Sequence, residues 1–211
     1  MIIKNTQIPK WFVFSLIYFL AVINSFSQDL KFKRFNRDEG LSSVNVKTIF
    51  QDSKDFIWIG TQDGLNRFDG YHFKIFKSNI NDKNALLSAD INCITEDSNN
   101  LIYIGTNGSG LSEYNMITET FKNFTNEKNN ICNNNILCLL NLNQTDLLIG
   151  TEDGLSVFNK KTKRAYKIPS DFISANDRLY ISSIYKDDKG VIWVAIPKYG
   201  VYEFDGNEKK L

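Results

Sequence analysis

Short hydrophobic runs alternate with polar turns along the chain, and the same pattern recurs at a fixed distance. The stretch "IWIGTQDGLNRFDG" begins at Ile57, and related stretches follow at intervals of 45 residues: "IYIGTNGSGLSEYN", "LLIGTEDGLSVFN" and "IWVAIPKYGVYEFDG". Each repeat offers four runs rich in β-branched and aromatic residues, as in "NVKTIFQD", "FIWIGTQ", "GLNRFD" and "YHFKIFK". This pattern predicts four short strands per repeat and excludes helical repeat proteins.

Turn residues separate the predicted strands at matching positions. The first and second strands are joined by "DSKD", "DSNN", "NQTD" and "DDKG". The second strands end at Gly60, Gly105, Gly150 and Ala195, and the following turns close on Gly64, Gly110, Gly154 and Gly200. Glycine suits both places because tight turns need a positive φ or a close backbone approach. Four-stranded sheets stacked around an axis bury both faces, so we predict an all-β fold, a β-propeller with four-stranded blades.

The two ends of the chain leave the number of blades open. "LKFKRFNRDEGLSS", from Leu30, resembles "YHFKIFKSNINDKNALLS", from Tyr71, and is interpreted as an outermost fourth strand. The last repeat stops after its third strand, so these two pieces would complete one blade. The chain is then either a closed four-bladed ring or the N-terminal piece of a longer protein.

The first 27 residues have the pattern of a signal peptide. Lys4 and Lys10 precede an apolar run from Trp11 to Ile23, and small residues follow at Ser25 and Ser27. The run has 13 residues, fewer than the about 20 that a membrane-spanning helix needs. We therefore expect export, with residues 28–211 forming the propeller; an uncleaved anchor is the alternative, and it also places the propeller outside the cytoplasm.

Composition and charge exclude several function classes. The formal net charge is +1, which argues against a nucleic-acid partner. Three cysteines are present, and two of them, Cys93 and Cys138, occupy a repeat position that Thr48 and Ser183 fill elsewhere. That position accepts small side chains, so we interpret the cysteines as buried free thiols rather than as a redox or metal site. No His, Cys or carboxylate set has metal-ligand spacing, and no cofactor is expected.

Candidate catalytic residues are few. The single histidine, His72, lies in the hairpin between the third and fourth strands, away from the axis. Asp52, Asp97 and Asp187 recur at one turn, which indicates turn capping rather than acid–base chemistry. We therefore expect no enzymatic activity in this chain.

A binding surface is easier to predict than a catalytic site. In a propeller, the loops between second and third strands lie on the same face as the loops that join the blades. Their polar residues vary between repeats while the adjacent glycines do not, as a recognition surface requires. The candidate ligand-binding residues are Gln62, Asp63, Asn107, Ser109, Glu152, Asp153, Lys198 and Tyr199.

The repeat units "VKTIFQDSKDFIWIGTQDGLNRFDG" and "ISSIYKDDKGVIWVAIPKYGVYEFDG" resemble the two-component regulator propeller repeat. The resemblance covers residues 30–211. The third unit departs from it with Leu142 and Leu148 in place of Asp and Trp, and the fourth with Ala195-Ile196 in place of Gly-Thr. Such repeats belong to the periplasmic sensor regions of hybrid two-component histidine kinases of the Bacteroidetes type.

The resemblance implies a sensor that relays ligand occupancy to a kinase. Sensors of this family have seven-bladed propellers, followed by a β-sandwich, a membrane span and a kinase, and typically detect carbohydrate fragments. Seven repeats of 45 residues need 315 residues, whereas residues 28–211 number 184. The resemblance therefore favours part of a larger ring. It also implies an oligosaccharide ligand, kinase activity only in a missing C-terminal part, and a homodimer formed through downstream domains.

Two other functions stay open. One is a freestanding secreted propeller that acts as a scaffold for protein–protein interaction. The other is a propeller enzyme such as a lyase or glycosidase, which needs clustered carboxylates or histidines that the sequence does not provide.

Overall fold

The structure is a computed structural model that describes residues 9–12, 14–15, 31–170 and 177–206. The chain divides into two compact units, Met1–Arg34 and Phe35–Leu211, and every strand described below belongs to the second. Residues 10–12 and 14–15 of the first unit are helical. The predicted signal peptide lies almost entirely outside the described residues. Among those that are described, no helix has the length and hydropathy required to cross a bilayer.

The first two repeats fold into two four-stranded sheets, called blades 1 and 2. Blade 1 contains β1 (Val46–Gln51), β2 (Ile57–Thr61), β3 (Gly64–Phe68) and β4 (Phe73–Phe76). Blade 2 contains β5 (Ile91–Glu96), β6 (Leu101–Thr106), β7 (Leu111–Asn115) and β8 (Thr120–Phe124), and a short helix follows it, α1 (Asn126–Asn129).

The last two repeats form blades 3 and 4. Blade 3 contains β9 (Ile136–Asn141), β10 (Asp146–Thr151), β11 (Gly154–Asn159) and β12 (Arg164–Lys167). Blade 4 contains β13 (Ser183–Lys186), β14 (Ile192–Ile196) and β15 (Gly200–Phe204). Each sheet is antiparallel with its strands in chain order, and the first strands of consecutive blades contact one another. The predicted all-β propeller architecture is confirmed.

The core consists of apolar layers between consecutive blades. Between blades 1 and 2, Trp58 and Leu65 pack with Ile91, Ile94 and Tyr114. Similar layers join blades 2 and 3 and blades 3 and 4. Because a flat sheet cannot bury its own faces, each blade depends on its neighbour for hydrophobic stabilisation.

Two sets of repeated glycines serve two different purposes. A Cβ on Gly60 would lie 2.6 Å from the Cγ2 of Ile91 in the next blade, so this position needs close backbone approach. Gly105 and Gly150 face the next blade's isoleucine in the same way. The second set has positive φ, with values of 137° at Gly64 and 134° at Gly154. The repeat therefore fixes both the spacing between blades and the shape of the turn.

The repeated aspartates cap the turns between first and second strands, as the sequence predicts. Asp52 Oδ1 accepts backbone N–H bonds from Lys54 (2.9 Å) and Phe56 (3.0 Å). Its Oδ2 accepts a bond of 2.7 Å from Trp58 Nε1. In blade 4, Asp187 Oδ2 accepts a similar bond of 3.1 Å from Trp193 Nε1.

Blade 3 lacks both partners of this hydrogen bond. The Leu148 side chain has no N–H group to donate a hydrogen bond, and the Leu142 side chain has no carboxylate to accept one. Asn143 closes the turn instead, since its Oδ1 accepts bonds of 2.8 Å from the N–H groups of Thr145 and Asp146. The two departures from the repeat therefore fall on the two partners of one hydrogen bond.

The prediction of an outermost strand before blade 1 is wrong, because the described residues contain no strand before β1. Residues 31–36 have no regular structure, and Asn36 begins a turn in which Leu41 N–H donates to its carbonyl at 3.0 Å. Phe35 packs against Phe68 and Phe73 of blade 1. The ring closure that this strand would have provided is absent from the described sheet pairings, in which β15 ends blade 4.

Candidate functional site

In blades 1 to 3, the turn between the second and third strands lies against the segment that enters the first strand. The first residue of each turn donates its backbone N–H to a carbonyl of that segment. These bonds are Gln62 to Asn45 (3.0 Å), Asn107 to Asp90 (2.9 Å) and Glu152 to Asn135 (3.2 Å). The two kinds of loop therefore share one surface, here called the loop face.

A buried threonine holds each of these turns in shape. Its Oγ1 donates to the carbonyl of the glycine that closes the turn. The bonds are Thr61 to Gly64 (2.9 Å), Thr106 to Gly110 (2.7 Å) and Thr151 to Gly154 (2.8 Å). Threonine and glycine thus form a constant frame, and the residues between them are free to vary.

Backbone hydrogen bonds continue the loop face from one blade to the next. Gly64 N–H donates to Ala89 O at 2.7 Å, and Gly110 N–H donates to Asn134 O at 2.8 Å. Between blades 3 and 4, Ile181 N–H donates to Thr151 O at 3.0 Å. The turns of one blade are therefore fixed relative to the entry segment of the next.

Polar side chains also cross the blade boundaries at the start of the first strands. Lys47 Nζ donates to Asn92 Oδ1 at 3.0 Å and forms an ion pair with Asp90. Asn92 Nδ2 donates to Asn135 Oδ1 at 3.1 Å and to Ile136 O at 2.9 Å. Sequence reasoning missed these residues, although Asn45, Asp90 and Asn135 recur at the repeat distance.

The predicted site residues of blades 1 and 2 lie on the loop face with contacts inside the chain. Gln62 Oε1 accepts from Asn45 Nδ2 at 2.9 Å, and Asn107 Nδ2 donates to Asp90 Oδ2 at 2.9 Å. Asp63 pairs with Lys77 at 2.7 Å, and that hydrogen bond lowers the pKa of the Asp63 carboxyl. Gln62, Asp63 and Asn107 stay exposed, whereas Ser109 is half-buried.

The predicted residues of blades 3 and 4 differ in exposure. Glu152 and Asp153 are half-buried, and the Asp153 N–H donates to Thr151 Oγ1 at 3.2 Å. Lys198 is exposed, and Tyr199 is half-buried. The predicted residues therefore lie on equivalent turns, spread over four blades.

A pocket opens on the loop face of blade 4. It is lined by Asp177, Arg178, Tyr180, Pro197, Lys198 and Tyr199. The Tyr199 hydroxyl donates to Asp177 Oδ2 at 2.7 Å, and this bond raises the pKa of the Tyr199 hydroxyl. Lys198 adopts the left-handed conformation with a φ of 74°. The sequence identified Lys198 and Tyr199 but not the entry-segment residues opposite them.

The histidine and the cysteines are the side chains to consider for catalysis or metal binding. His72 is exposed and gives its backbone N–H to Asp69 Oδ1 at 2.6 Å. Across the described part of the chain, no three His, Cys, Asp or Glu residues come together as a metal site. All three cysteines are free, as predicted, but they are half-buried rather than fully buried, and desolvation raises the pKa of the Cys138 thiol to about 12.

Comparisons with known sequences agree with the repeat pattern. Residues 40–63 and 85–108 match the family described as two component regulator propeller. Histidine kinase P4 of Formosa agariphila is 42% identical over 77 residues, which make up 35% of this chain and 6% of the kinase. The chain therefore spans a small part of the length of this relative.

Solved structures with the same fold include both sensors and an enzyme. The extracellular domain assigned to the hybrid two component system BT3049 of B. thetaiotaomicron has a TM-score of 0.56 at 20% identity, over 84% of this chain and 31% of that one. The domain assigned to BT4673 of the same organism has a TM-score of 0.54 at 18% identity, over 78% and 27% of the two chains. A streptogramin B lyase has a TM-score of 0.60 at 15% identity, over 84% and 59%.

The structural likeness at these identities shows the propeller fold, which by itself does not separate a sensor from an enzyme. The matched residues lie in blades 1 and 2 and include the frame threonines Thr61 and Thr106, each preceded by a close-approach glycine, Gly60 or Gly105. Residues 40–63 and 85–108 therefore match two-component regulator propeller repeats.

Proposed function

We propose that this chain is the ligand-sensing propeller region of an exported two-component sensor. Its ligand is an oligosaccharide bound on the loop face, and the kinase that reads its occupancy lies in a part of the protein downstream of residue 211. The chain itself has no enzymatic role. Dimerisation of the sensor through its downstream domains remains part of the same proposal.

The observation that carries the proposal is the constant frame with variable side chains. Thr61 and Gly64, and their counterparts in blades 2 and 3, form the same bonds, while the side chains between them are acidic, amide or small. Amides donate hydrogen bonds to sugar hydroxyls and accept them, and carboxylates accept them. A fixed scaffold that presents different polar groups is suited to recognising a ligand with many hydroxyls.

The family match supports the signalling part of the proposal. The repeats are those of two component regulator propellers, and the matched relative is named a histidine kinase. This signalling part is tested by sequencing the native gene beyond the codon for Leu211. A membrane span and a histidine kinase domain are expected downstream; a stop codon there would contradict the signalling role and favour a secreted scaffold.

Ligand binding is tested by calorimetry with the whole chain and a panel of oligosaccharides. Asn107→Ala removes an exposed amide from the loop face and is expected to weaken binding by about fivefold, the loss of one net hydrogen bond. Asn99→Ala is the matched control, because Asn99 is an exposed amide at the opposite end of β6. Equal effects of both changes would contradict binding on the loop face.

Export is tested by fusing residues 1–45 to alkaline phosphatase, which becomes active only where its disulfides form. Activity is expected with residues 1–45 and not with residues 28–45. Equal activity of both fusions would contradict the signal peptide.

A further inference from the structure

Blade 4 departs from the loop-face frame at both of its loop elements. In blades 1 to 3, a short polar side chain caps the entry segment two residues later: Ser43 Oγ accepts from Asn45 N–H (3.2 Å), Ser88 Oγ from Asp90 N–H (3.2 Å) and Asn133 Oδ1 from Asn135 N–H (2.7 Å). Arg178 occupies this position in blade 4. There the Tyr180 N–H donates to the Arg178 backbone carbonyl at 3.1 Å. The turn is therefore closed by backbone alone, and the arginine side chain has no part in it.

The second departure is in the turn between β14 and β15. Ile196 replaces the threonine of the frame, so no hydroxyl is present to hold the turn. Tyr199 N–H instead donates to Ile196 O at 3.0 Å, with Lys198 in the left-handed conformation. A non-glycine residue held in this conformation costs free energy that the surrounding structure must offset. This arrangement places Lys198 and Tyr199 at the mouth of the blade 4 pocket.

The same two departures also change the charge of the loop face. Asn45, Asp90 and Asn135 of the other blades are replaced by Tyr180, whose side chain is 41% exposed. Among the described residues, the side chains of Arg178 and Lys198 have no hydrogen-bond or ion-pair partner, and Asp177 accepts a hydrogen bond from the Tyr199 hydroxyl. The described residues that line the pocket include two cations and one carboxylate, which together carry a net positive charge.

We infer that this pocket binds the acidic groups of an oligosaccharide that carries carboxylates or sulfates. The inference rests on the proposed function and names the ligand class of the loop face. Arg178 and Lys198 provide charge-assisted hydrogen bonds to an anionic substituent. Tyr180 and Tyr199 provide aromatic surfaces for the apolar side of a sugar ring. Departures from a local sequence pattern often mark functional sites. The two departures of blade 4, in the entry segment and in the turn between β14 and β15, both contribute residues to this pocket.

The test is calorimetry with the whole chain and a panel of acidic oligosaccharides. The panel contains uronate oligomers of several linkages and sulfated galactans, each paired with its methyl-esterified or desulfated counterpart of equal length. At least one acidic member is expected to bind at least about tenfold more tightly than its neutral counterpart, and higher salt is expected to reduce that difference. Binding of a neutral member alone would overturn the inference and leave the proposed function standing. Binding of no member would overturn both.

Two double variants locate the binding. Arg178→Gln with Lys198→Gln is expected to weaken binding of the acidic ligand by about a hundredfold, at about tenfold for each charged bond. Arg178→Lys with Lys198→Arg keeps both charges and is expected to retain most of the affinity. The control is Lys186→Gln with Lys189→Gln, which removes two exposed cations at the opposite end of the same blade. Unchanged affinity in the first variant, or an equal loss in the control, would overturn the inference.

Discussion

Trp58 in blade 1 and Trp193 in blade 4 occupy the same repeat position but differ in environment. Both donate their indole N–H to the aspartate that caps the preceding turn. Trp58 is fully buried, whereas Trp193 is 38% exposed. Trp58 packs against Tyr114 of blade 2, and in the described residues no blade covers the corresponding face of blade 4. The repeat therefore determines local hydrogen bonds, and the neighbouring blade determines burial.

The sharpest test of this difference compares the two tryptophans directly. Trp58→Ala is expected to lower the free energy of unfolding by about 3–5 kcal/mol, because it opens a cavity between blades and leaves the Asp52 carboxylate without its partner. Trp193→Ala is expected to cost about 1 kcal/mol or less, as for partly exposed side chains. Urea unfolding followed by circular dichroism measures both. Equal losses would show that burial by the next blade contributes little.

The glycine between the blades provides a second comparison. Gly60→Ala is expected to destabilise the protein by about 1–3 kcal/mol, since the new Cβ would lie 2.6 Å from the Cγ2 atoms of both Ile91 and Thr48. Ala195→Gly, at the same position of blade 4, is expected to cost about 0.5–1 kcal/mol, the effect of glycine within a strand. Thermal unfolding compares the two variants.

A double variant identifies the cause of the Gly60 effect. Adding Ile91→Ala to Gly60→Ala removes the Ile91 Cγ2 atom and leaves only the Thr48 Cγ2 contact at 2.6 Å, so the combined loss is expected to be smaller than the sum of the single losses. Additive losses would contradict a steric cause.

The capping aspartates differ in burial, as do the tryptophans that they bind: Asp52 is buried, whereas Asp187 is half-buried. Asp52→Leu is expected to cost about 1–3 kcal/mol, because it leaves the buried Trp58 N–H without an acceptor. Combining it with Trp58→Leu reproduces the leucine pair of blade 3, Leu142 and Leu148. The double variant is expected to be more stable than the two single effects predict, as measured by a double-mutant cycle in urea. Strict additivity would mean that the two positions are not coupled.

The smallest expected effect concerns pH at the exposed face of blade 4. The Trp193 hydrogen bond lowers the pKa of the Asp187 carboxyl from its ordinary value of 3.8. A carboxyl with a depressed folded-state pKa contributes stability above its unfolded-state pKa and loses it as the pH falls through the folded value. Carboxyl NMR is expected to give a midpoint below 3.8 for Asp187, shifting upward in Trp193→Phe. No shift in the variant would mean that this hydrogen bond is absent in solution.

The sequence predicted what the repeat determines locally. Strands, turn glycines and capping aspartates recur at fixed intervals, so each copy supports the others. The sequence also showed that Leu142 and Leu148 depart from the repeat, but only the structure shows that they replace the two partners of one hydrogen bond. Position along a strand does not reveal which groups meet across it.

Other features depend on contacts that no repeat encodes. Residues 31–37 contain strand-like apolar residues, but the structure has a turn beginning at Asn36 instead, and Phe35 packs on Phe68 and Phe73. The blade 4 pocket was only half predicted, through Lys198 and Tyr199. Arg178 and Tyr180 come from a different loop, and their place beside that turn follows from the fold.

The close approach of Ile91 to Gly60 also determines when the surface of β2 can be covered during synthesis. The surface of β2 beside Gly60 cannot be covered until Ile91, 31 residues later, has been made. At about 5–20 residues per second, that delay is about 2–6 s. One apolar face of each blade therefore stays exposed until the next blade has been synthesised. A pause in translation between two repeats prolongs the exposure of this apolar face and so favours aggregation.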